Sequence, residues 1–276
     1  MPIPVTPTPA PSTLRDRLAA ASGPLAGMWV CSGSPLVAEI CAGGGLDWLL
    51  IDMEHAPNGL ESVLSQLQAV AGHPVEAVVR VPSDDPVVIK QVLDLGARTV
   101  LVPMVSSAAQ AREVAAAAHY PPRGRRGVGS ALSRSGRWNR VEDYLARAAE
   151  HVCVLVQVET VEAVAAAAEI AAVDGIDGVF VGPSDLAASM GLLGQQTHPD
   201  VTAAARRAIA DVVAAGVPAG VNAFDPAVAD AYVAAGASFV LVGADVTVLA
   251  RASESFGRRF TGPDGAPAGA APAAGT

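Results

Sequence analysis

Residues 49–58 read LLIDMEHAPN, an apolar run followed by Asp52, Glu54 and His55 within four positions. A carboxylate beside an imidazole can orient and charge the ring, which then moves protons near neutral pH. The plainer reading of His55 is a loop histidine satisfied by backbone groups. Other apolar runs end the same way. EAVVRV carries Arg80, VCVLVQVE carries Gln157 and Glu159, and GVFVGPSD carries Gly182, Pro183, Ser184 and Asp185. Glu159 and Asp185 lie at neighbouring run ends, where two carboxylates repel unless a proton or a cation sits between them. An all-oxygen pair leaves coordination positions for water and substrate, which suits Mg²⁺ or Mn²⁺. The competing reading makes each carboxylate the cap of the helix that follows. A buried guanidinium needs a partner, so Arg80 faces an anion. That anion is either a protein group such as Glu54 or a substrate carboxylate or enolate.

The chain has one lysine, Lys90, in the helical stretch DDPVVIKQVLDLG. A Schiff-base mechanism needs a desolvated lysine inside the pocket, so carbon–carbon chemistry here would use a metal as electron sink. Gly43, Gly44 and Gly45 precede an apolar run instead of following one and form no dinucleotide fingerprint. His73, His119, His151 and His198 show no ligand spacing and read as structural.

The elements that must position these groups repeat. LAGMWV, DWLLIDM, EAVVRV, TVLVPM, VCVLVQVE, GVFVGP, PAGVNA and FVLVG are candidate strands, most without polar alternation and most followed by an alanine-rich helical pattern. This predicts a (β/α)₈ barrel in one domain over residues 14–259, with an open doubly wound sheet as the alternative. A barrel gathers its chemistry at the strand C-termini, where the ionisable residues fall. Gly72, Gly96, Gly216 and Gly236 are expected to close helices with left-handed caps. The segment HYPPRGRRGVGSALSRSGRWNR, rich in glycine and arginine, is expected at the C-terminal rim as a solvated or subunit-contacting loop. Residues 1–13 and 260–276 read as disordered tails.

Of the 276 residues 51% are hydrophobic and the formal charge is −9, which argues for a globular core and against a nucleic-acid partner. No apolar run is long enough for a membrane span and no leader pattern is present, so a cytoplasmic protein is expected. Cys31, Cys41 and Cys153 are widely spaced and read as small buried hydrophobes.

The motifs GMW, DWLLIDMEHAPN, VVRV, LVPMV, YPPRGRRGVGSALSRSGRWNR, VCVLVQVET and GVFVGPSDL, in this order, resemble the HpcH/HpaI family of metal-dependent class II pyruvate aldolases, in particular its 4-hydroxy-2-oxoheptanedioate aldolases of aromatic catabolism. The resemblance implies a lyase that splits a 4-hydroxy-2-oxo carboxylate into pyruvate and an aldehyde through a metal-stabilised enolate. It implies that Glu159 and Asp185 hold the divalent cation, Mg²⁺ or Mn²⁺ with Co²⁺ or Zn²⁺ as alternatives. Trp29, Gln157, Gly182, Pro183, Ser184 and Asp185 would line the substrate. Arg80 would stabilise the enolate, and His55 with Asp52 would act as the base. Asp94 would support that base, although its place near a helix C-terminus lets it reach a site only across a subunit contact. A homo-oligomer, a hexamer in the family, is implied. The segments VPSDD and GVNAFDP depart from the family pattern and bear on the aldehyde half. Related readings are a 2-keto-3-deoxy sugar-acid aldolase, a CoA-ester lyase, or a non-catalytic oxoacid-binding barrel.

Overall fold

Valine, leucine and isoleucine fill short segments that are buried on both faces, and these segments pair only with parallel neighbours. The structure, a computed structural model, describes residues 13–261. Its strands are β1 (Leu25–Val30), β2 (Trp48–Asp52), β3 (Glu76–Arg80), β4 (Thr99–Val102), β5 (Cys153–Val158), β6 (Gly178–Val181), β7 (Ala219–Asn222) and β8 (Ala237–Ala244). They close in sequence order into a barrel, with β1 hydrogen-bonded to both β2 and β8. The helices are α1 (Leu14–Ala20), α2 (Pro35–Ala42), α3 (Leu60–Ala69), α4 (Pro86–Asp94), α5 (Ala108–Ala118), α6 (Tyr144–Arg147), α7 (Val161–Ala165), α8 (Ala167–Ala171), α9 (Pro183–Ser189), α10 (Pro199–Ala214), α11 (Pro226–Ala234) and α12 (Asp245–Thr261). The fold is the expected (β/α)₈ barrel.

Strand alternation divides the apolar residues into two cores. Trp48, Leu50, Val78, Leu101, Cys153, Leu155, Phe180, Phe239 and Leu241 point inward and fill the barrel. Leu49, Ile51, Val79, Val100, Val154 and Val179 point outward against the helices. Glycine makes room for the large rings inside. A Cβ at Gly27 would overlap the Trp48 indole, and one at Gly220 would overlap the Phe239 ring. Trp48 and Phe239 meet edge to face at 5.7 Å between centroids, so the lower barrel is solid.

Helix α1 closes the floor. Thr13 and Asp16 form a reciprocal capping box. Leu14 is fully buried, and its backbone N–H donates to Thr99 Oγ1 at 3.1 Å. Thr99 in turn donates to Glu76 at 3.0 Å. Thr13 therefore belongs to the domain and not to the N-terminal tail, and α12 runs to Thr261, past the expected boundary at 259. The remaining tail expectations, for residues 1–12 and 262–276, lie outside the described residues.

Two further expectations are corrected. Gly96, Gly216 and Gly236 are left-handed caps, with φ of +95°, +81° and +110°, but Gly72 ends a 3₁₀ turn without a positive φ. The arginine-rich insertion sits at the N-terminal rim, not the C-terminal one. It follows α5 and precedes β5, so both its ends lie on the floor side of the barrel. Arg126 pairs with Asp94 at 2.6 Å, Arg134 donates to the Leu95 carbonyl at 2.9 Å, and the Ser135 N–H donates to the Asp94 carbonyl. Lys90 lies on α4, outside the barrel, facing Gly127 of this insertion. Among the described residues no helix is long and apolar enough to cross a membrane.

Candidate active site

The alternation that fills the barrel also selects its top layer. Continuing the inward positions upward gives Trp29 on β1, Asp52 on β2, Arg80 on β3, Gln157 on β5 and Asn222 on β7. Arg80 is the hub and is 4% exposed. Its Nε and Nη2 donate to the two Asp52 oxygens at 2.8 and 2.9 Å, a bidentate pair. Its Nη1 lies 2.8 Å from Glu54 Oε2 and 3.5 Å from Gln157 Oε1. The Trp29 ring covers it, with Cζ 4.4 Å from the ring centroid, and the indole N–H donates to Asn222 Oδ1 at 2.8 Å. The sequence left two kinds of anion open for Arg80, and the structure supplies protein carboxylates.

Glu159 leaves the end of β5 and is 1% exposed. One oxygen accepts the Met104 backbone N–H at 2.8 Å and the other accepts from Gln157 Nε2. Met104 reaches that carboxylate from a left-handed backbone, φ 56°, which a methionine adopts at some cost. A Cβ at Gly182 would crowd Glu159 and Gln157, so glycine is what the carboxylate's space requires. Burial pushes the Glu159 carboxyl up to about 7, and the charges of Asp185 and Glu54 push the same way. Burial likewise raises Glu54, whose Arg80 and His55 neighbours oppose the shift.

Neither carboxylate caps a helix. Thr160 caps α7 with its own hydroxyl, and Asp185 sits in the first turn of α9 with no side-chain cap bond there. Pro183 opens that helix, and Ser184 and Asp185 are exposed on it. The Asp52–His55 pairing differs from expectation. Asp52 is engaged by Arg80 and accepts only the backbone N–H groups of Glu54 and His55. The His55 imidazole, 65% exposed, has Glu54 as its acidic neighbour at 3.8 Å. Asp94 stays at the opposite end of the barrel with Arg126. Of the cysteines, only Cys153 is buried; Cys31 and Cys41 are half-buried, and all three are free. Sequence reasoning missed Asn222 and the Met104 amide. The inward parity of β7 could have flagged Asn222, whereas a backbone donor leaves no mark on residue type.

Glu54, Glu159 and Asp185 thus repel one another beside one guanidinium. A divalent cation held by Glu159 and Asp185 fits that donor set, with only oxygen ligands and positions left for water and substrate. Among the described residues no three His, Cys, Asp or Glu side chains gather closely enough to form a complete metal cage by themselves.

A barrel whose mouth gathers carboxylates and an imidazole around a buried guanidinium defines a class: enzymes that handle small anionic substrates by acid–base and electrostatic means. The family model described as HpcH/HpaI aldolase/citrate lyase matches residues 25–252, and the chain belongs to this family. It is 50% identical over 249 residues to the 4-hydroxy-2-oxo-heptane-1,7-dioate aldolase of Salmonella dublin, covering 90% of this chain and 94% of that protein. Among solved structures, an HpcH/HpaI aldolase/citrate lyase family protein from Burkholderia cenocepacia J2315 is 43% identical with a TM-score of 0.84, covering 88% of this chain and 96% of the other. An HpcH/HpaI aldolase from Desulfitobacterium hafniense DCB-2 is 28% identical with a TM-score of 0.84, covering 93% and 100%.

Proposed function

We propose that this protein is a class II pyruvate aldolase, reversibly splitting a 4-hydroxy-2-oxo carboxylate into pyruvate and an aldehyde. The observation that carries the reading is the buried Gln157 amide that joins the Arg80 guanidinium to the Glu159 carboxyl at the barrel mouth, in a chain half identical to such an aldolase. Cleavage removes the C4 hydroxyl proton and leaves negative charge on the oxoacid fragment, so a base and a cationic group must both reach the substrate. His55, at the open edge of the mouth, is the base, with Glu54 beside it. Arg80, fixed by Asp52 and Trp29, faces the oxygen on which charge develops. Gln157 and Ser184 contact the oxoacid. Glu159 and Asp185 would hold Mg²⁺ or Mn²⁺, which would supply Lewis-acid chemistry to the oxoacid. Asp52 acts on Arg80 and not as the partner of the imidazole.

Pyruvate release from such an oxoacid, followed with a coupled reporter enzyme, tests this. EDTA is expected to abolish the signal and Mg²⁺ or Mn²⁺ to restore it; full activity in metal-free enzyme sinks the cation assignment. Free cysteines suit the reducing cytoplasm. A homo-oligomer is supported by α12, whose Val246, Leu249, Phe256 and Phe260 are exposed at helical spacing. In such an assembly Asp94 would serve the mouth of a neighbouring copy. Light scattering measures the assembly, and a monomer at micromolar concentration contradicts it.

A further inference from the structure

The seventh strand sends one polar side chain inward at the mouth, Asn222, and the reaction as described gives it no task. It is half-buried at the C-terminal end of β7, in register with Leu241 of β8. Its Oδ1 accepts the Trp29 indole N–H at 2.8 Å. An indole nitrogen only donates, so this bond decides which way the amide faces and turns its NH₂ away from Trp29. Among the described residues no group accepts from that NH₂, and it is not among the sealed, unpartnered polar atoms of the interior. The same indole lies against Arg80. One aromatic plate therefore links the guanidinium that meets the oxoacid to an amide with two donors to spare.

We propose that Asn222 is a specificity-determining residue for the aldehyde half: its locked NH₂ donates to a hydroxyl or carboxylate oxygen on the acceptor. The enzyme then favours aldehydes bearing a hydrogen-bond acceptor over alkyl aldehydes of equal size. A site that hydrogen-bonds a substrate group discriminates against the analogue lacking it, because the donor is left unpaired. The proposal rests on the aldolase reading.

Methoxyacetaldehyde and butanal differ by an ether oxygen, which only accepts, in place of a methylene group, and each is added to pyruvate by the full-length enzyme with its cation. The ratio of kcat/KM for the two acceptors is measured in wild type, Asn222→Leu and Asn222→Asp. Asp keeps an oxygen for the Trp29 N–H but has no NH₂, so it separates holding the indole from contacting the acceptor. The methoxyacetaldehyde preference is expected to fall about tenfold in both variants, the worth of one hydrogen bond. Exchange of pyruvate methyl protons for deuterium, which needs no acceptor, is expected to fall by less than that ratio. A ratio unchanged in both variants overturns the assignment, as does exchange that falls as far as the ratio. A wild type that neither exchanges protons nor forms adducts overturns the aldolase reading itself, and the acceptor claim with it. Melting temperatures confirm that both variants are folded.

Discussion

Glu76 and Glu159 stand at opposite ends of the same barrel, and burial pushes both carboxyls up to about 7. Their surroundings have opposite sign. Glu76, on the floor, accepts from Thr99 and has Arg17 and Arg98 as its nearest influences, which draw it back down. Glu159, at the mouth, has Asp185 and Glu54, which drive it further up. The floor glutamate can keep a proton as part of the packing. The mouth glutamate faces two further carboxylates, of which Arg80 pairs with Glu54, and this excess of negative charge is the condition under which a cation binds. An equal displacement thus means structure at one end and chemistry at the other, and the neighbours tell the two apart.

Four experiments press on this contrast. The largest effect is expected from Arg80→Ala, which removes the guanidinium that Asp52 and Glu54 share at the mouth. Turnover should fall roughly 10³-fold or more while the far-UV circular dichroism is retained; unchanged activity removes its role. Next, Glu159→Gln should lose turnover by about a hundredfold, together with most of the thermal stabilisation given by Mg²⁺ or Mn²⁺. Glu76→Gln should keep the full cation response, and equal loss in both variants erases the distinction between the two ends.

The third test is pH. Glu76 holds its proton in the fold up to about 7 against an ordinary 4.5, so the folded state binds a proton that the unfolded chain has released. That contribution is fully present below about 4.5 and is lost as the pH rises toward 7. Urea titrations should show Glu76→Gln gaining on wild type across this window, by on the order of 1–3 kcal/mol, and then levelling. A gap that is flat with pH contradicts the buried proton. The smallest effect is expected from Thr13→Ala, which removes the cap of α1 above Thr99 and Glu76 at about 1 kcal/mol. Turnover should be preserved.

The strands were legible because a parallel strand covered on both faces needs an unbroken apolar run, and TVLVPM or VCVLVQVE can be little else. Strand order and closure followed from repetition. A long irregular insertion between β4 and β5 suggests a loop at the C-terminal rim, yet its position after a helix and before a strand assigns it to the floor. Asp52 and His55 suggest a pair because they stand three positions apart, yet Arg80 lies directly across the β2–β3 ladder from Asp52 and offers two charged donors. A backbone N–H can satisfy a carboxylate as well as an imidazole can, and that choice depends on cross-strand neighbours. Asn222 carried no local signal at all; only the parity of β7 against the closed barrel reveals it.

The aromatic filling held over Gly27 and Gly220 makes the barrel a cup with a single opening. With the floor end filled, the route to the buried carboxyl of Glu159 is the C-terminal mouth, where His55, Trp29 and Asn222 stand, and products leave the same way. A two-fragment product in such a vessel departs in a fixed order, the outer piece before the inner. Pyruvate should therefore inhibit cleavage competitively against the parent oxoacid, whereas the aldehyde should show a non-competitive pattern.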